Sequence, residues 1–224
     1  MDEARSFHDR ADAGRELAAH LQEYAARPGI LVLGLARGGV PVAFEVALAL
    51  DARLDVLLVR KLGVPGREEL AFGAIASGGV RVLNEEVIRA LRISEQTIAA
   101  VVAREQEELE RRERLHRDGA RSAPVAGQTV VLIDDGLATG ASMRAAAAAL
   151  RQRDAAEVVV AVPVAPPETC AALEGQVERV VCARTPELFH SVGSWYEDFA
   201  QVSDREVREL LRRAAARRPD PHVG

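Results

Sequence analysis

The sequence predicts an α/β fold in which a parallel β-sheet is flanked by helices. Short aliphatic runs alternate along the chain with longer segments of helical pattern, which is typical of successive strand and helix units. Several runs are apolar at every position, as expected of strands covered on both faces. The chain has 224 residues, 48% of them hydrophobic, enough for a substantial core. We therefore expect one domain over residues 1–224.

The elements of the first half follow from apolar spacing and from the residues that interrupt it. Pro28 and Gly29 end the first amphipathic segment. A Gly-rich stretch over 63–79 is expected to be flexible, and the turn signal Ser77-Gly78-Gly79 within it indicates a weak hairpin. In chain order we predict a helix over 6–26, a strand over 30–35, a helix over 40–50, a strand over 54–59, hairpin strands over 72–76 and 80–83, and helical structure over 85–118.

The second half continues the same alternation. The run 130–133 is β-branched or aliphatic throughout, and the Ala-rich stretch 143–151 strongly favours a helix. The remaining predicted elements are a strand over 158–162, a short helix over 169–173 and a strand over 177–182.

Charge and composition limit the possible partners. The formal charge of -5 and the pI near 5.6 argue against non-specific nucleic-acid binding. No apolar run approaches the roughly 18–20 residues of a membrane span, and the N-terminus does not resemble a secretory signal, so a cytoplasmic location is expected. Cys170 and Cys182 have neither CxxC spacing nor nearby His pairs, so a zinc site or a disulfide framework is not indicated, and both are predicted to be buried small hydrophobic side chains.

The most informative segment is VVLIDDGLATGAS, residues 130–142. Asp134 and Asp135 end the apolar strand, and burying them unpaired would carry a large desolvation cost, so they should face solvent, a metal or a partner rich in hydroxyls. Vicinal ribose hydroxyls fit that need. The loop after them opens the Ala-rich helix, where free N–H groups and the helix dipole favour a phosphate. The predicted phosphate-loop residues are Ala138, Thr139, Gly140, Ala141 and Ser142.

This segment resembles the signature of the type I phosphoribosyltransferases, which bind 5-phosphoribosyl-1-pyrophosphate (PRPP). The resemblance covers about residues 30–185, with an N-terminal helix over 6–26 and a small C-terminal hood or cap over about 186–216 as additions. The chain resembles most closely the uncharacterised members, in which ARGGVPVA, VRKLG and a WYEDF tail recur together as they do in this sequence. An ordinary strand and capped helix would explain neither the second acid nor Gly140.

Arg37, Gly38 and Gly39 form a second motif between the first strand and its helix. The spacing matches neither GxGxxG nor GxxxxGK[ST], so the common nucleotide-binding motifs are excluded. Paired glycines can expose backbone N–H groups as an anion nest. The resemblance assigns pyrophosphate to this turn, while a tight crossover with a surface arginine remains the alternative.

Arg60 and Lys61 form the third motif, at the end of the second predicted strand. Two adjacent cations next to a mobile loop could neutralise departing pyrophosphate, and loop closure could exclude water. The resemblance implies a pyrophosphate contact at this place, often through lysine. The alternative is a solvated strand end.

Four aromatic residues of the hood could cover an acceptor base, or they could form a small hydrophobic cap. We favour the cap. His190 lies in the same stretch, but a lone histidine is more often a surface or capping residue. The four aromatic residues are Phe189, Trp195, Tyr196 and Phe199.

The resemblance implies an enzyme that transfers a 5-phosphoribosyl group from PRPP to a nucleobase-like nitrogen acceptor. Asp134, Asp135, Arg37 and Lys61 are the implied catalytic residues, and Mg²⁺ is expected to be held mainly by substrate oxygens, with no metal ligands from the protein. Ala138 departs from the Asp usual in members acting on 6-oxopurines. A homodimer is a family-based expectation. A non-catalytic PRPP-binding regulator and a phosphoribosyl-binding hydrolase remain alternatives.

Overall fold

The structure is a computed structural model that describes residues 6–117 and 122–217. Helices and strands alternate as the sequence predicts, except for four consecutive strands and two consecutive helices in the middle of the chain. The elements are α1 (Arg10–Ala19), β1 (Ile30–Leu35), α2 (Gly39–Leu50), β2 (Arg53–Leu57), β3 (Val59–Val64), β4 (Arg67–Ala76), β5 (Val80–Leu83), α3 (Glu85–Ala90), α4 (Glu95–Arg117), β6 (Thr129–Ile133), α5 (Ala141–Arg151), β7 (Glu157–Val164), α6 (Pro167–Leu173), β8 (Arg179–Arg184) and α7 (Asp204–Arg217).

Five parallel strands form the main sheet, in the spatial order β2-β1-β6-β7-β8. Its inner strands β1, β6 and β7 are almost wholly buried, which explains their unbroken aliphatic sequences. Helices α1 and α2 pack on one face, and α5 and α6 pack on the other. The predicted α/β architecture is confirmed. Within the described ranges, none of the helices combines the length and apolarity needed to span a bilayer.

The Gly-rich stretch is mostly regular structure. Strand β3 continues to Val64, turns back at once into β4, and pairs through β4 with β5 as a three-stranded antiparallel sheet. The expected irregular loop after Lys61 is therefore wrong. Leu62, Phe72 and Ile75 are buried against α4, so the segment has its own hydrophobic contacts and forms an ordered hairpin.

Two predicted helices are interrupted. The helix predicted over 6–26 begins only at Arg10, after the N-cap Asp9, because Phe7 forms a β-bridge with Tyr196. The helix predicted over 85–118 is broken between α3 and α4, where the Ser94 hydroxyl accepts a hydrogen bond from the Thr97 N–H and starts a new helix. Its predicted end at residue 118 lies outside the described residues.

Cys170 and Cys182 are joined by a disulfide. The sequence gives no indication of this bridge. Helix α6 packs beside β8, so the two side chains meet even though the sequence places them 12 residues apart. The spacing rules applied to the sequence describe metal sites and small disulfide frameworks, and they are silent about a single bridge between packed elements.

Candidate active site

The acidic pair and the glycine turn meet at the carboxyl edge of the main sheet. Strands β1 and β6 are adjacent and parallel, so the segments that follow them leave the sheet side by side. A Cβ on Gly38 would lie 2.0 Å from Asp135 Oδ2, and one on Gly39 would lie 2.8 Å from the Cα of Asp134. Only glycine therefore allows the turn to lie directly on the acids. The peptide bond between Ala36 and Arg37 is cis.

The two acids occupy different surroundings. The Asp135 N–H donates to Asp134 Oδ1 at 2.9 Å, while Asp135 Oδ2 accepts from Arg10 Nε at 2.8 Å. Burial, followed by the charge of Asp135, raises the pKa of Asp134 well above its usual value. Burial also raises the pKa of Asp135, although Arg10 opposes that shift. The pair therefore resists carrying two full negative charges.

The phosphate loop lies where the sequence predicts it, at the N-terminus of α5. Gly140 caps this helix with a left-handed φ of +67°. Two side chains that the sequence analysis missed hold the loop. Thr169 donates its hydroxyl to the Ala138 carbonyl at 2.7 Å, and Arg144 donates to the Thr139 carbonyl at 2.9 Å. Arg144 lies only five residues after Thr139 in sequence, but Thr169 comes from α6 and leaves no local signal.

Arg60 and Lys61 point in different directions. Arg60 Nε donates to Glu105 Oε2 at 2.6 Å, which ties it to α4, whereas Lys61 is exposed. Lys61 lines a cleft of about 630 Å³ together with Ala141 and Ser142 of the phosphate loop. The structure therefore brings Lys61 to the loop and leaves Arg60 on the other face of the hairpin.

Arg37 projects from the glycine turn toward the start of α7. Its Nη1 lies 3.8 Å from Asp204 Oδ1, and the same carboxylate oxygen lies 2.8 Å from Nε2 of the buried His116. The hydrogen bond with His116 is the main cause that lowers the pKa of Asp204. Arg37 is thus held at the edge of the site by an anion that the sequence analysis did not single out.

The aromatic residues of the hood pack together as a cap. Phe7 and Tyr196 are buried with ring centroids 5.4 Å apart, and Phe189 and Trp195 pack against them. The Tyr196 hydroxyl donates to the Asp135 carbonyl at 2.6 Å. The cap interpretation agrees with this packing. His190 is exposed.

The donor set gives the protein few metal ligands. Across the residues described, no group of three or more His, Cys, Asp or Glu side chains converges as a metal site. Asp134 and Asp135 remain available as hydrogen-bond acceptors for hydroxyl groups.

Comparisons with known proteins show the family to which the chain belongs. The sequence model of the phosphoribosyl transferase domain family matches residues 3–198. Two curated relatives from Mycobacterium tuberculosis, strains CDC 1551 and H37Rv, are provisionally named phosphoribosyl transferases; each is 49% identical over 208 residues, covering 93% of this chain. The match covers 47% of each relative, so the chain spans about half their length.

A solved structure has the same overall arrangement. The protein TT1426 from Thermus thermophilus is 42% identical, with a TM-score of 0.81, over 92% of this chain and 97% of that one. AQ2163 from Aquifex aeolicus, at 13% identity and a TM-score of 0.50 over 82% of this chain and 78% of that one, shares the fold alone.

Proposed function

Because the chain belongs to the phosphoribosyl transferase domain family, we propose that it transfers the 5-phosphoribosyl group of PRPP to a nitrogen acceptor, with release of pyrophosphate. This proposal rests on one observation: the acidic pair, the glycine turn and the phosphate loop lie together at the carboxyl edge of the main sheet. Asp134 and Asp135 lie against the Gly38 turn, and the phosphate loop follows them directly. The placement of the acidic pair between the phosphate loop and the glycine turn suits a ligand with a phosphate at one end, a diphosphate at the other, and hydroxyls between them.

The roles of the residues follow from these positions. The N–H groups at the start of α5 and the hydroxyls of Thr139 and Ser142 bind the 5-phosphate. The carboxylates of Asp134 and Asp135 accept hydrogen bonds from the ribose hydroxyls. Arg37 projects from the glycine turn and neutralises the charge that develops on the leaving diphosphate. The family resemblance assigns the same role to Lys61, although the cleft that Lys61 lines is bounded by the phosphate loop and the hairpin and not by the glycine turn.

Two carboxylates alone supply too few ligands to enclose a metal ion. The acidic pair therefore fits a cation that is carried mainly by the substrate. Diphosphate and ribose oxygens are the hard ligands that Mg²⁺ prefers, so no side chain of the protein is assigned as its ligand. Bound in this way, Mg²⁺ would stabilise negative charge on the leaving group.

The acceptor is a nucleobase-like amine or ring nitrogen. Ala138 offers no carboxylate to the ring of a 6-oxopurine, and its carbonyl already accepts from Thr169. Hypoxanthine and guanine are therefore disfavoured. A cytoplasmic location and a homodimer remain predictions.

The donor site is tested with two isosteric substitutions. Asp134→Asn and Asp135→Asn should each weaken binding of PRPP with Mg²⁺ by at least about tenfold, because hydrogen bonds to a charged acceptor are lost. Isothermal titration gives the affinities. Asp154→Asn is the control, since Asp154 is exposed and its positive φ suits asparagine equally well.

Turnover is tested separately by following pyrophosphate release with a panel of nucleobases and small amines. Release that depends on one acceptor supports the enzyme. PRPP binding without release for any acceptor would favour the regulator, and unchanged PRPP affinity in both Asn variants would refute the donor site.

A further inference from the structure

Arg10 lies outside every motif of the donor site, yet its side chain reaches the acidic pair. Its Nε donates to Asp135 Oδ2 at 2.8 Å, and the two side chains are only 11% and 15% exposed. The partners are 125 residues apart in sequence. An ion pair this well shielded from water differs from a solvent-exposed surface pair, which contributes little to stability.

Three further contacts fix the guanidinium of Arg10. Its Nη1 donates to the Ala200 carbonyl at 2.8 Å, and its Cζ lies 4.0 Å from the centroid of the Phe199 ring. The Tyr196 ring lies nearby as well, with its centroid 6.0 Å from Cζ. Stacking on an aromatic face and a bond to a backbone carbonyl leave the Arg10 side chain little freedom.

The geometry points to Arg10 as a positioning residue of the donor site, which fixes the Asp135 carboxylate against the glycine turn and links it to the hood. This inference rests on the proposed function, because it assumes that Asp135 receives a ribose hydroxyl. Arg10 uses one lone-pair direction of Oδ2, and a carboxylate has about four in total, so acceptor capacity remains for the ligand.

The charge of Arg10 matters as much as its position. Asp135 faces Asp134 on its own strand end, the Gly38 backbone from the turn before α2, the Tyr196 hydroxyl from the hood and Arg10 from α1. Among these neighbours Arg10 alone is cationic. Without it, two crowded and partly buried carboxylates would favour protonation of one of them, and a protonated acid is a poorer acceptor for a hydroxyl.

The test compares variants in PRPP binding, measured by isothermal titration with Mg²⁺ across a pH series. Arg10→Gln should weaken binding at neutral pH by at least about tenfold, because truncating one partner of a shielded charge pair leaves the other charge uncompensated. The acid limb of the binding profile should also move to higher pH. Arg10→Lys, which keeps the charge, should move that limb less than Arg10→Gln does.

Two other variants separate positioning from general loss of structure. Arg15→Gln on the same helix is the control, because Arg15 is exposed and pairs only weakly with Asp12 at 3.3 Å. If Arg10→Gln fails to fold, Phe199→Leu removes the aromatic face beside Arg10, at a ring that is 37% exposed and whose centroid also lies 5.0 Å from that of Tyr196, and it should still lower PRPP affinity severalfold.

Each outcome decides between the hypotheses. If wild type binds PRPP and Arg10→Gln gives the same binding profile across the pH series, the inference is refuted and the proposed function is unaffected. Tighter binding by Arg10→Gln also refutes it, since Arg10 would then be a competitor for Asp135. Wild type that fails to bind PRPP refutes the proposed function and the inference together.

Discussion

Asp134 illustrates the conflict between binding and stability at a single residue. Burial and the adjacent Asp135 charge raise its pKa, so the folded protein prefers the protonated acid. A folded-state pKa above the unfolded value contributes stability at low pH, and that contribution is lost as the pH rises through the folded pKa. Over the pH range in which this acid is ionised, its raised pKa therefore lowers the free energy of unfolding of the ligand-free protein.

Asp134→Asn should consequently stabilise the ligand-free protein. The free energy of unfolding of the variant should exceed that of wild type at neutral pH, and the difference should shrink as the pH falls toward the ordinary pKa of 3.8. Urea denaturation at a series of pH values measures this. The exposed Glu187→Gln substitution is the control, and its free energy of unfolding should vary with pH in parallel with that of wild type. The same parallel course for Asp134→Asn would contradict the argument.

At the scale of one element, β3 separates two neighbouring cations. Successive side chains of a strand point to opposite faces, so Arg60 and Lys61 cannot both meet the same ligand. Arg60 pairs with the buried Glu105 on α4, and Lys61 faces the cleft beside the phosphate loop. The strand thus divides the pair into a residue that is paired with α4 and a residue that faces the cleft.

Substituting each cation should separate the two roles. Lys61→Gln should weaken pyrophosphate binding roughly three- to tenfold with little change in the free energy of unfolding, because only a charged ligand contact is lost. Arg60→Gln should lower the free energy of unfolding by about 1 kcal/mol, because the Arg60 side chain is partly solvated, and should bind pyrophosphate almost normally. Titration calorimetry and urea denaturation measure the two effects. A reversed pattern would mean that the assignment of faces is wrong.

The elements that could be predicted from sequence are those whose pattern is local. Strands β1 and β6 are covered on both faces and therefore read as unbroken aliphatic runs, and the β4–β5 turn was marked by Ser77-Gly78-Gly79. The break before α4 was missed, although Ser94 followed by Glu95 is a recognisable helix start. The regular path of β3 and β4 depends on packing against α4, which no local pattern records.

At the scale of the whole molecule, an early and a late segment of the chain close over the acidic pair together. The Phe7 N–H donates to the Trp195 carbonyl at 2.8 Å, and the Glu197 N–H donates to the Phe7 carbonyl at 2.9 Å. Arg10 and Tyr196 extend from these paired segments to Asp135. Such contacts join residues far apart in the chain, which is why motif spacing located the acids but missed the residues that hold them.

Phe7→Ala tests whether this closure supports the site. Phe7 is fully buried against Tyr196, and the Arg184 guanidinium lies 3.8 Å from the Phe7 ring centroid, so the truncation should cost about 3–5 kcal/mol of unfolding free energy. PRPP affinity should fall as well, because Arg10 and Tyr196 lose their support. Thermal denaturation and calorimetric titration give both values. Leu188→Ala, at a side chain 81% exposed, should change neither, and normal PRPP affinity in a folded Phe7→Ala variant would contradict the coupling.

The disulfide between Cys170 and Cys182 bears on the choice of buffer when this protein is purified. It fastens α6 to the edge strand through Cys170, and the preceding residue, Thr169, holds the carbonyl of Ala138. A thiol reagent that opens the bridge acts one residue away from a contact that shapes the phosphate loop. Kinetic measurements with and without dithiothreitol in the buffer should therefore be compared directly.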